Sequence, residues 1–182
     1  MISLRKDIAL LLIDQALASD VQVGREAFEE KHGVRIMIDL RVVREVVHQT
    51  LAMLAAHPRD VVWGGYLAVD PGTETVIGTC GFRTGPTDDG VIEIAYYTFP
   101  EYEGQGFATA MAVRLKTLAL QSRSVQRIIA HTLPERNPST RILEKIGMRL
   151  IGEVDDPEDG VVWRWEYHSG VVGQEVSGTN TL

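Results

Sequence analysis

Three strand-like segments separated by turns occupy the middle of the chain, and they limit the fold more than any other feature. Residues 61–69, 75–82 and 91–99 are apolar, aromatic and rich in β-branched side chains. A Pro-Gly pair separates the first two segments, and a stretch rich in glycine and aspartate at 85–90 separates the second from the third. Because such turns connect antiparallel hairpins, the sequence predicts an antiparallel sheet at the centre of the fold.

Helical patterns precede these strands. A first helix is expected over 19–33, where Ser19 is a typical starting residue and Gly33 a stop signal. Apolar residues recur at helical spacing after Asp39 until His57 and the proline that follows it, which predicts a second helix. The shorter apolar run before residue 19 fits either a strand or a helical turn, because periodicity cannot separate the two over so few residues.

Helix and strand patterns alternate after Pro100. We expect helices over 106–121 and 139–146, and strands over 127–130, 148–154 and 161–167. Together with the central hairpins, this order predicts an α+β fold, in which a mixed, mostly antiparallel sheet carries helices on both faces.

Length and composition indicate a single domain. The 182 residues fit one domain, which we assign to 1–167. Residues 168–182 are rich in Gly, Ser and Thr and are expected to form a flexible C-terminal tail. The single cysteine, Cys80, excludes an intrachain disulfide, and its apolar neighbours indicate an inert core thiol. No histidines show metal-ligand spacing, so we expect no metal.

Charge and hydropathy narrow the choice of partners and location. The net charge of −7 and the lack of a Lys/Arg run argue against nucleic-acid binding, and this charge suits a cationic substrate. The apolar run at 8–13 is shorter than a secretory apolar region of roughly 7–15 residues or a membrane span of about 20. We therefore predict a cytoplasmic protein without a membrane partner; the sequence leaves open whether it forms a homodimer.

A glycine loop, FPEYEGQGFATAM at 99–111, follows the third strand and opens a helix. Gly104 and Gly106 lack side chains, so a ligand can approach the main chain there. The amides of about residues 102–108 would be unpaired donors at the positive end of the helix, which suits a phosphate, although ordinary strand-to-helix turns share the pattern. The loop lacks the Gly-Lys-Ser/Thr of a P-loop, and Thr109 replaces the third glycine of a dinucleotide fingerprint.

Four segments between Trp63 and Tyr167 resemble the GNAT superfamily of N-acetyltransferases. The similarity is greatest to the RimJ/RimL-type branch, which acetylates the N-termini of ribosomal proteins. The four segments are VIGTCGF (76–82), VIEIAYYTFPEYEGQGFATAM (91–111), RIIAHTLPERNPSTRILEKIGM (127–148) and VVWRWEY (161–167). The resemblance implies the GNAT fold, with 61–167 as the acetyl-CoA-binding core and the helical 1–60 as the variable acceptor side.

The resemblance also implies an activity and a cofactor site. It implies transfer of an acetyl group from acetyl-CoA to a primary amine, either a protein N-terminus or a small molecule, by direct attack in a ternary complex. A noncatalytic acyl-CoA-binding module or sensor is the alternative. In the family the glycine loop holds the pyrophosphate, and the pantetheine arm lies beside a strand splayed by a bulge, which would fall at 97–99. The implied cofactor residues are Tyr97, Thr98, Phe99, Gly104, Gln105, Gly106, Phe107, Ala108 and Asn137.

Acetyl transfer needs a base for the amine and a proton donor for the leaving thiolate. Glu93 is the candidate base, since it is a lone carboxylate in a strand that is otherwise apolar, and the family has a glutamate at a matching place. Ser139 resembles a family residue that acts as proton donor near the sulfur, but Ser139 and Asn137 also suit helix capping. Leu143 occupies the position where many relatives have a tyrosine acid. His131 is a weaker candidate base.

Overall fold

The N-terminal apolar run forms a strand and not a helical turn. This strand, β1 (Ala9–Leu12), pairs antiparallel with β2 (Gly65–Asp70) and is one edge of the sheet. The computed structural model of the protein describes residues 6–157 and 159–170. Within them the other strands are β3 (Thr75–Phe82), β4 (Val91–Thr98), β5 (Arg127–Thr132), β6 (Arg149–Asp156) and β7 (Gly160–His168). The α-helices are α1 (Gln15–Val23), α2 (Arg25–His32), α3 (Leu40–Ala56), α4 (Phe107–Leu120) and α5 (Pro138–Lys145).

The strands of the described chain form one sheet in the order β1-β2-β3-β4-β5-β7-β6. Neighbouring strands are antiparallel except β4 and β5, which are parallel. Two apolar clusters lie on the sheet: one contains buried residues of α4 and α5, and the other contains buried residues of α1, α2 and α3. The predicted α+β fold, with a mixed sheet between two layers of helices, is confirmed.

The parallel pair of strands separates after three residues. β4 pairs with β5 only along 91–93, opposite 127–129, although both strands continue beyond this point. The bulge predicted at 97–99 is wrong, because β4 keeps an unbroken register with β3 from Ile94 to Thr98. The two strands of the splayed pair separate where their backbone pairing ends, after Glu93. The separation does not require a bulge in β4.

Three features of the chain before β3 differ from the prediction. The first helix begins at Gln15, because the Asp14 carboxylate accepts a hydrogen bond from the Leu17 amide at 2.8 Å and so caps it. Gly24, with φ of 144°, divides α1 from α2, whereas Gly33 ends α2 as predicted and adopts the left-handed conformation. The predicted 61–69 strand starts later, since 61–63 form a 3₁₀ turn.

The remaining predicted elements lie close to their expected positions. α3 begins after Asp39, whose side chain accepts from the Arg41 amide, and it ends at His57. The buried residues of α4 recur at helical spacing and face the sheet, and they are Phe107, Met111, Ala112, Leu115 and Ala119. Burying such side chains stabilises the fold by about 1.5–3 kcal/mol for each large one. This packing fixes α4 against the sheet and so holds the glycine loop at its start.

The start of the predicted tail is part of the sheet. His168 ends β7, and the Ser169 hydroxyl donates to the Gln126 carbonyl at 3.0 Å. Residues 171–182, on which the rest of the tail prediction falls, lie outside the described residues. Within 6–157 and 159–170, the helices are all too short or too polar to cross a bilayer.

Candidate active site

The gap between β4 and β5 contains a cavity of about 180 Å³. Glu93, the last β4 residue paired with β5, stands where the two strands separate. His131 lines the same cavity from β5, and Ser139 lines it from the first turn of α5. The fold thus brings the two predicted catalytic residues to one cavity, although they are distant in sequence.

Two basic side chains lie against the Glu93 carboxylate. The distance between His131 Nδ1 and Glu93 Oε1 is 2.9 Å, which is a hydrogen bond, and Arg83 Nη1 is 3.6 Å from the same oxygen. The side chains of Glu93 and His131 are 17% and 14% exposed, so both are largely shielded from water. The apolar sequence neighbours of Glu93 suggested an isolated carboxylate, but in the structure two basic side chains lie beside it.

The N-cap of α5 is Asn137 and not Ser139. Asn137 Oδ1 accepts a hydrogen bond from the Thr140 amide at 3.1 Å, and Thr140 Oγ1 accepts one from the Asn137 amide at 3.2 Å. This reciprocal pair is a capping box. Among the described residues, no hydrogen-bond partner is found for the Ser139 hydroxyl. Ser139 is consequently available to a ligand in the cavity, whereas Asn137 keeps only its side-chain nitrogen, Nδ2, for one.

Tyr96 is a site residue that the sequence analysis missed. It lines the same cavity as Ser139 and packs beside the apolar cluster that contains α4 and α5, which we call the α4-side core. Its neighbour Tyr97 is half exposed. Burial raises the pKa of the Tyr96 phenol above its ordinary value, so the hydroxyl stays protonated at neutral pH. The alternation of a strand could have separated the two tyrosines, because Tyr96 shares a face with the buried Ile92 and Ile94.

A larger groove of about 510 Å³ runs from this cavity to the start of α4. The groove and the cavity share Tyr96 and Ser139 as lining residues. Six of the predicted cofactor residues line the groove, and they are Tyr97, Thr98, Gly104, Gly106, Phe107 and Ala108. The Thr98 hydroxyl is buried without a hydrogen-bond partner in the described part of the chain.

Backbone N–H groups at the glycine loop are unpaired over six consecutive residues. Gly104 and Gly106 have φ angles of 72° and 88°, and α4 lacks a side-chain cap. The first amide bonded back into the helix belongs to Ala110, so among described residues the amides of 104–109 lack a backbone acceptor. The free amides begin two residues later than the predicted 102–108, because a 3₁₀ turn forms at Pro100–Tyr102 and the amides of Tyr102 and Glu103 bond within it. Consecutive free amides at a helix start suit an anion.

The match to a known family covers this whole arrangement. A family model described as an acetyltransferase (GNAT) domain matches residues 7–149. The chain belongs to the GNAT acetyltransferase family. The matched region of this GNAT protein runs from just before β1 to the start of β6, and so includes the glycine loop and the gap between β4 and β5.

Relatives of this GNAT protein carry only general names. The "Uncharacterized N-acetyltransferase p20" of Bacillus licheniformis is 34% identical over 86 residues, which are 47% of this chain and 48% of p20. The chain therefore spans about half the length of that relative. The "Uncharacterized N-acetyltransferase YjdG" of Bacillus subtilis (strain 168) is 26% identical over 143 residues, which are 79% of this chain and 83% of YjdG.

Solved structures establish the GNAT fold. The aminoglycoside acetyltransferase AAC(6')-Ib, solved in complex with coenzyme A, has a TM-score of 0.61 at 23% identity, and the match covers 89% of this chain and 95% of that one. RimL, a ribosomal L7/L12 alpha-N-protein acetyltransferase in complex with coenzyme A, has a TM-score of 0.60 at 13% identity, with 89% and 94% covered.

Three predicted cofactor residues lie outside the groove of this GNAT protein. Gln105 lines an adjoining groove of about 750 Å³, and its side-chain nitrogen donates weakly to the Glu101 carbonyl at 3.4 Å. Phe99 is 1% exposed within the core cluster on the side of α1–α3. Asn137 caps α5. The geometry thus groups six of the nine predicted residues, and their roles stay predictions.

Proposed function

We propose that the protein is an N-acetyltransferase that transfers an acetyl group from acetyl-CoA to a primary amine by direct attack in a ternary complex. One observation carries this proposal: a continuous path joins the free amides of 104–109 to the cavity that holds Glu93 and Ser139. A diphosphate would fit the end with the free amides, which bind an anion. A thioester would fit the other end, where Glu93 and Ser139 can transfer protons.

The glycine-loop amides are suited to the diphosphate of coenzyme A. They supply donors in a row at the positive end of α4, so they bind negative charge without a basic side chain. The buried Thr98 hydroxyl, which lines the groove between the two ends, supports a polar ligand there. An unsatisfied buried hydroxyl costs roughly 1–3 kcal/mol, and a hydrogen bond to a ligand amide would remove that cost.

Acid–base roles follow from the contacts in the cavity. Acetyl-CoA, when bound, supplies a thioester carbonyl carbon for the amine to attack. Glu93 takes the proton that the amine loses, either directly or through water, and His131 holds its carboxylate in place through the 2.9 Å hydrogen bond. Ser139 and Tyr96 line both the cavity and the groove, and each carries a hydroxyl, so either can donate a proton to the departing sulfur.

Membership of the GNAT family does not decide which class of amine is the acceptor. The RimJ/RimL-type resemblance favours a protein N-terminus, and one structural neighbour is RimL. Other neighbours are a spermidine N-acetyltransferase chimera and an aminoglycoside acetyltransferase, which favour small amines. The cytoplasmic location remains a prediction of the sequence, as does the absence of a metal, and the homodimer question stays open.

A two-step experiment tests the proposal. The midpoint of thermal unfolding should rise with acetyl-CoA, because a ligand that binds only the folded state stabilises it by mass action. Acetylation of a panel of amines and N-terminal peptides then follows in the presence of a thiol reporter. A thermal shift without turnover on any amine would favour the noncatalytic acyl-CoA-binding module, and the absence of a shift would refute both readings.

A further inference from the structure

A second cavity of about 210 Å³ adjoins the Glu93 cavity on the side of α3. Thr50 and Met53 line it from α3, Thr79 lines it from β3, and Ala95 lines it from β4. The two cavities share Arg83, Ala95 and Tyr96 as lining residues. We call this space the α3 cavity. It lies on the side of the sheet opposite the α4-side core, so an amine held there would reach Glu93 from outside the cofactor groove.

Most of the surface that lines the α3 cavity is apolar, and its charged side chains are two arginines. Among residues 6–157 and 159–170, its lining includes no Asp or Glu, and the charged lining residues are Arg59 and Arg83. Met53 and Tyr97 are large apolar side chains that stay 43% and 50% exposed, and both line this space. Exposed apolar side chains that converge on a cavity indicate contact with an apolar group of a ligand.

The two arginines differ in their partners. Arg83 lies near Glu93 and Asp159, at 3.6 and 3.7 Å. Arg59 donates to three backbone carbonyls, those of Trp63, His57 and Phe82, at 3.0, 3.3 and 3.4 Å.

Arg59 is thus held in place by neutral groups. Within residues 6–157 and 159–170, no carboxylate lies within ion-pair distance of it. Arg59 is half-buried, and this burial lowers the pKa of its guanidinium. A fixed, partly desolvated guanidinium without an acidic partner is suited to a carboxylate that a ligand brings.

We infer that the acceptor is an apolar α-amino acid, whose side chain fills the α3 cavity, whose carboxylate meets Arg59 and whose amine faces Glu93. The inference rests on the proposed function and names the substrate class of that site. The cavity is smaller than the roughly 300–1,000 Å³ of sites for drug-sized ligands, so it suits one side chain. An acceptor with a second positive charge is disfavoured, because it would lie near two arginines, and the described lining of the α3 cavity offers no carboxylate.

The whole-protein charge and the local site therefore favour different ligands. The net charge of −7 attracts cations to the surface in general. Specificity is decided at short range, where the described side chains of the α3 cavity are either uncharged or cationic. The negative surface would attract polyamines and aminoglycosides, but repulsion by the two arginines of the cavity would lower their affinity by more than that attraction raises it.

Matched acceptors test the inference directly. Leucine and leucinamide share the amine and the side chain, and only leucine has the carboxylate; lysine and spermidine add positive charge. We expect kcat/KM for leucine to exceed that for leucinamide at least tenfold, with lysine and spermidine weaker still. The amine of leucinamide is the weaker base, so amine protonation at neutral pH would act in the opposite direction. Equal or better use of leucinamide, of spermidine or of a leucine-led peptide would overturn the inference.

A substitution isolates the arginine. Arg59→Gln should reduce kcat/KM for leucine to the level of leucinamide and change that for leucinamide less than twofold. Arg123→Gln, at an exposed arginine away from both cavities, is the matched control and should leave both acceptors unchanged. The thermal midpoint and its rise with coenzyme A show whether Arg59→Gln is folded. If the Arg59→Gln variant does not fold, the comparison of leucine with leucinamide on the unchanged protein still tests the inference.

Calorimetric binding of leucine to the coenzyme A-saturated protein separates this inference from the proposed function. Binding of leucine that exceeds binding of leucinamide, without turnover on any amine, would support the amino-acid site and refute the transferase. Turnover on other amines, without detectable leucine binding, would refute the amino-acid site and leave the transferase in place.

Discussion

Replacing Gly104 by alanine should separate the backbone strain of the glycine loop from its role in binding. Gly104 has a φ of 72°, and an added Cβ would meet no atom within 4 Å, so steric overlap does not contribute. The cost is that of placing alanine in the left-handed region, roughly 1–2 kcal/mol. For a chain of 182 residues, each kcal/mol lowers the melting temperature by about 2–4 °C.

Gly33 is a matched control for this substitution. Its φ is 64°, an added Cβ would also meet no atom within 4 Å, and it ends α2 far from the loop in sequence. Gly33→Ala and Gly104→Ala should therefore lose similar stability in thermal unfolding. Only Gly104→Ala should weaken coenzyme A binding, by about tenfold, which corresponds to about 1.4 kcal/mol, because it disturbs the row of amides at 104–109.

Calorimetric titration of coenzyme A into both variants is the assay. If both variants bound coenzyme A as tightly as the unchanged protein, the glycine-loop amides would not be its binding site. If both bound it equally weakly, the loss would reflect general destabilisation, and the reasoning from the loop would also fail.

Further predictions concern the cavity and the core. Glu93→Gln should lower kcat at least a hundredfold and leave coenzyme A affinity within twofold, as measured by steady-state kinetics and calorimetry; unchanged turnover would remove Glu93 from the mechanism. His131→Gln should keep part of the activity, because glutamine can still donate to the carboxylate, whereas His131→Ala should lose tenfold or more in kcat. Ser139→Ala and Tyr96→Phe identify the proton donor, since only loss of the true donor should slow thiol release; two fully active variants would exclude both. Burial raises the pKa of the Cys80 thiol to about 12, so a thiol reagent at pH 8 should label it only after unfolding, and rapid labelling of the native protein would contradict its burial.

Local patterns in the sequence accounted for most of the elements. The 75–82 strand and the helix after Asp39 were predicted because alternation, helical spacing and caps act within a few residues. The first helix was misplaced because the cap at Asp14 directly follows an apolar strand, where a starting signal is hard to distinguish. The bulge at 97–99 was expected only because relatives in the family have one. In this chain β4 pairs with β3 without a bulge.

The candidate site could be predicted only in part. Glu93 stood out as a lone carboxylate in an apolar strand and Ser139 through the family resemblance, but the contacts of Glu93 depend on how distant segments meet. His131 reaches it from the neighbouring parallel strand and Arg83 from the end of β3, and a single sequence carries no signal for either contact. Arg59 was missed for a different reason, because its importance lies in the partner it lacks among the described residues.

The short stretch of parallel pairing between β4 and β5 has a consequence for acyl-group selectivity. Three residue pairs join the two strands, and beyond Glu93 their separation depends on the packing of α4 and α5 and not on backbone hydrogen bonds. If the thioester lies in this opening, as proposed, side chains of Leu143 and Ile94 limit the length of the acyl chain it admits. Trimming one of these to alanine would then extend the range from acetyl towards propionyl and butyryl donors without altering the diphosphate site.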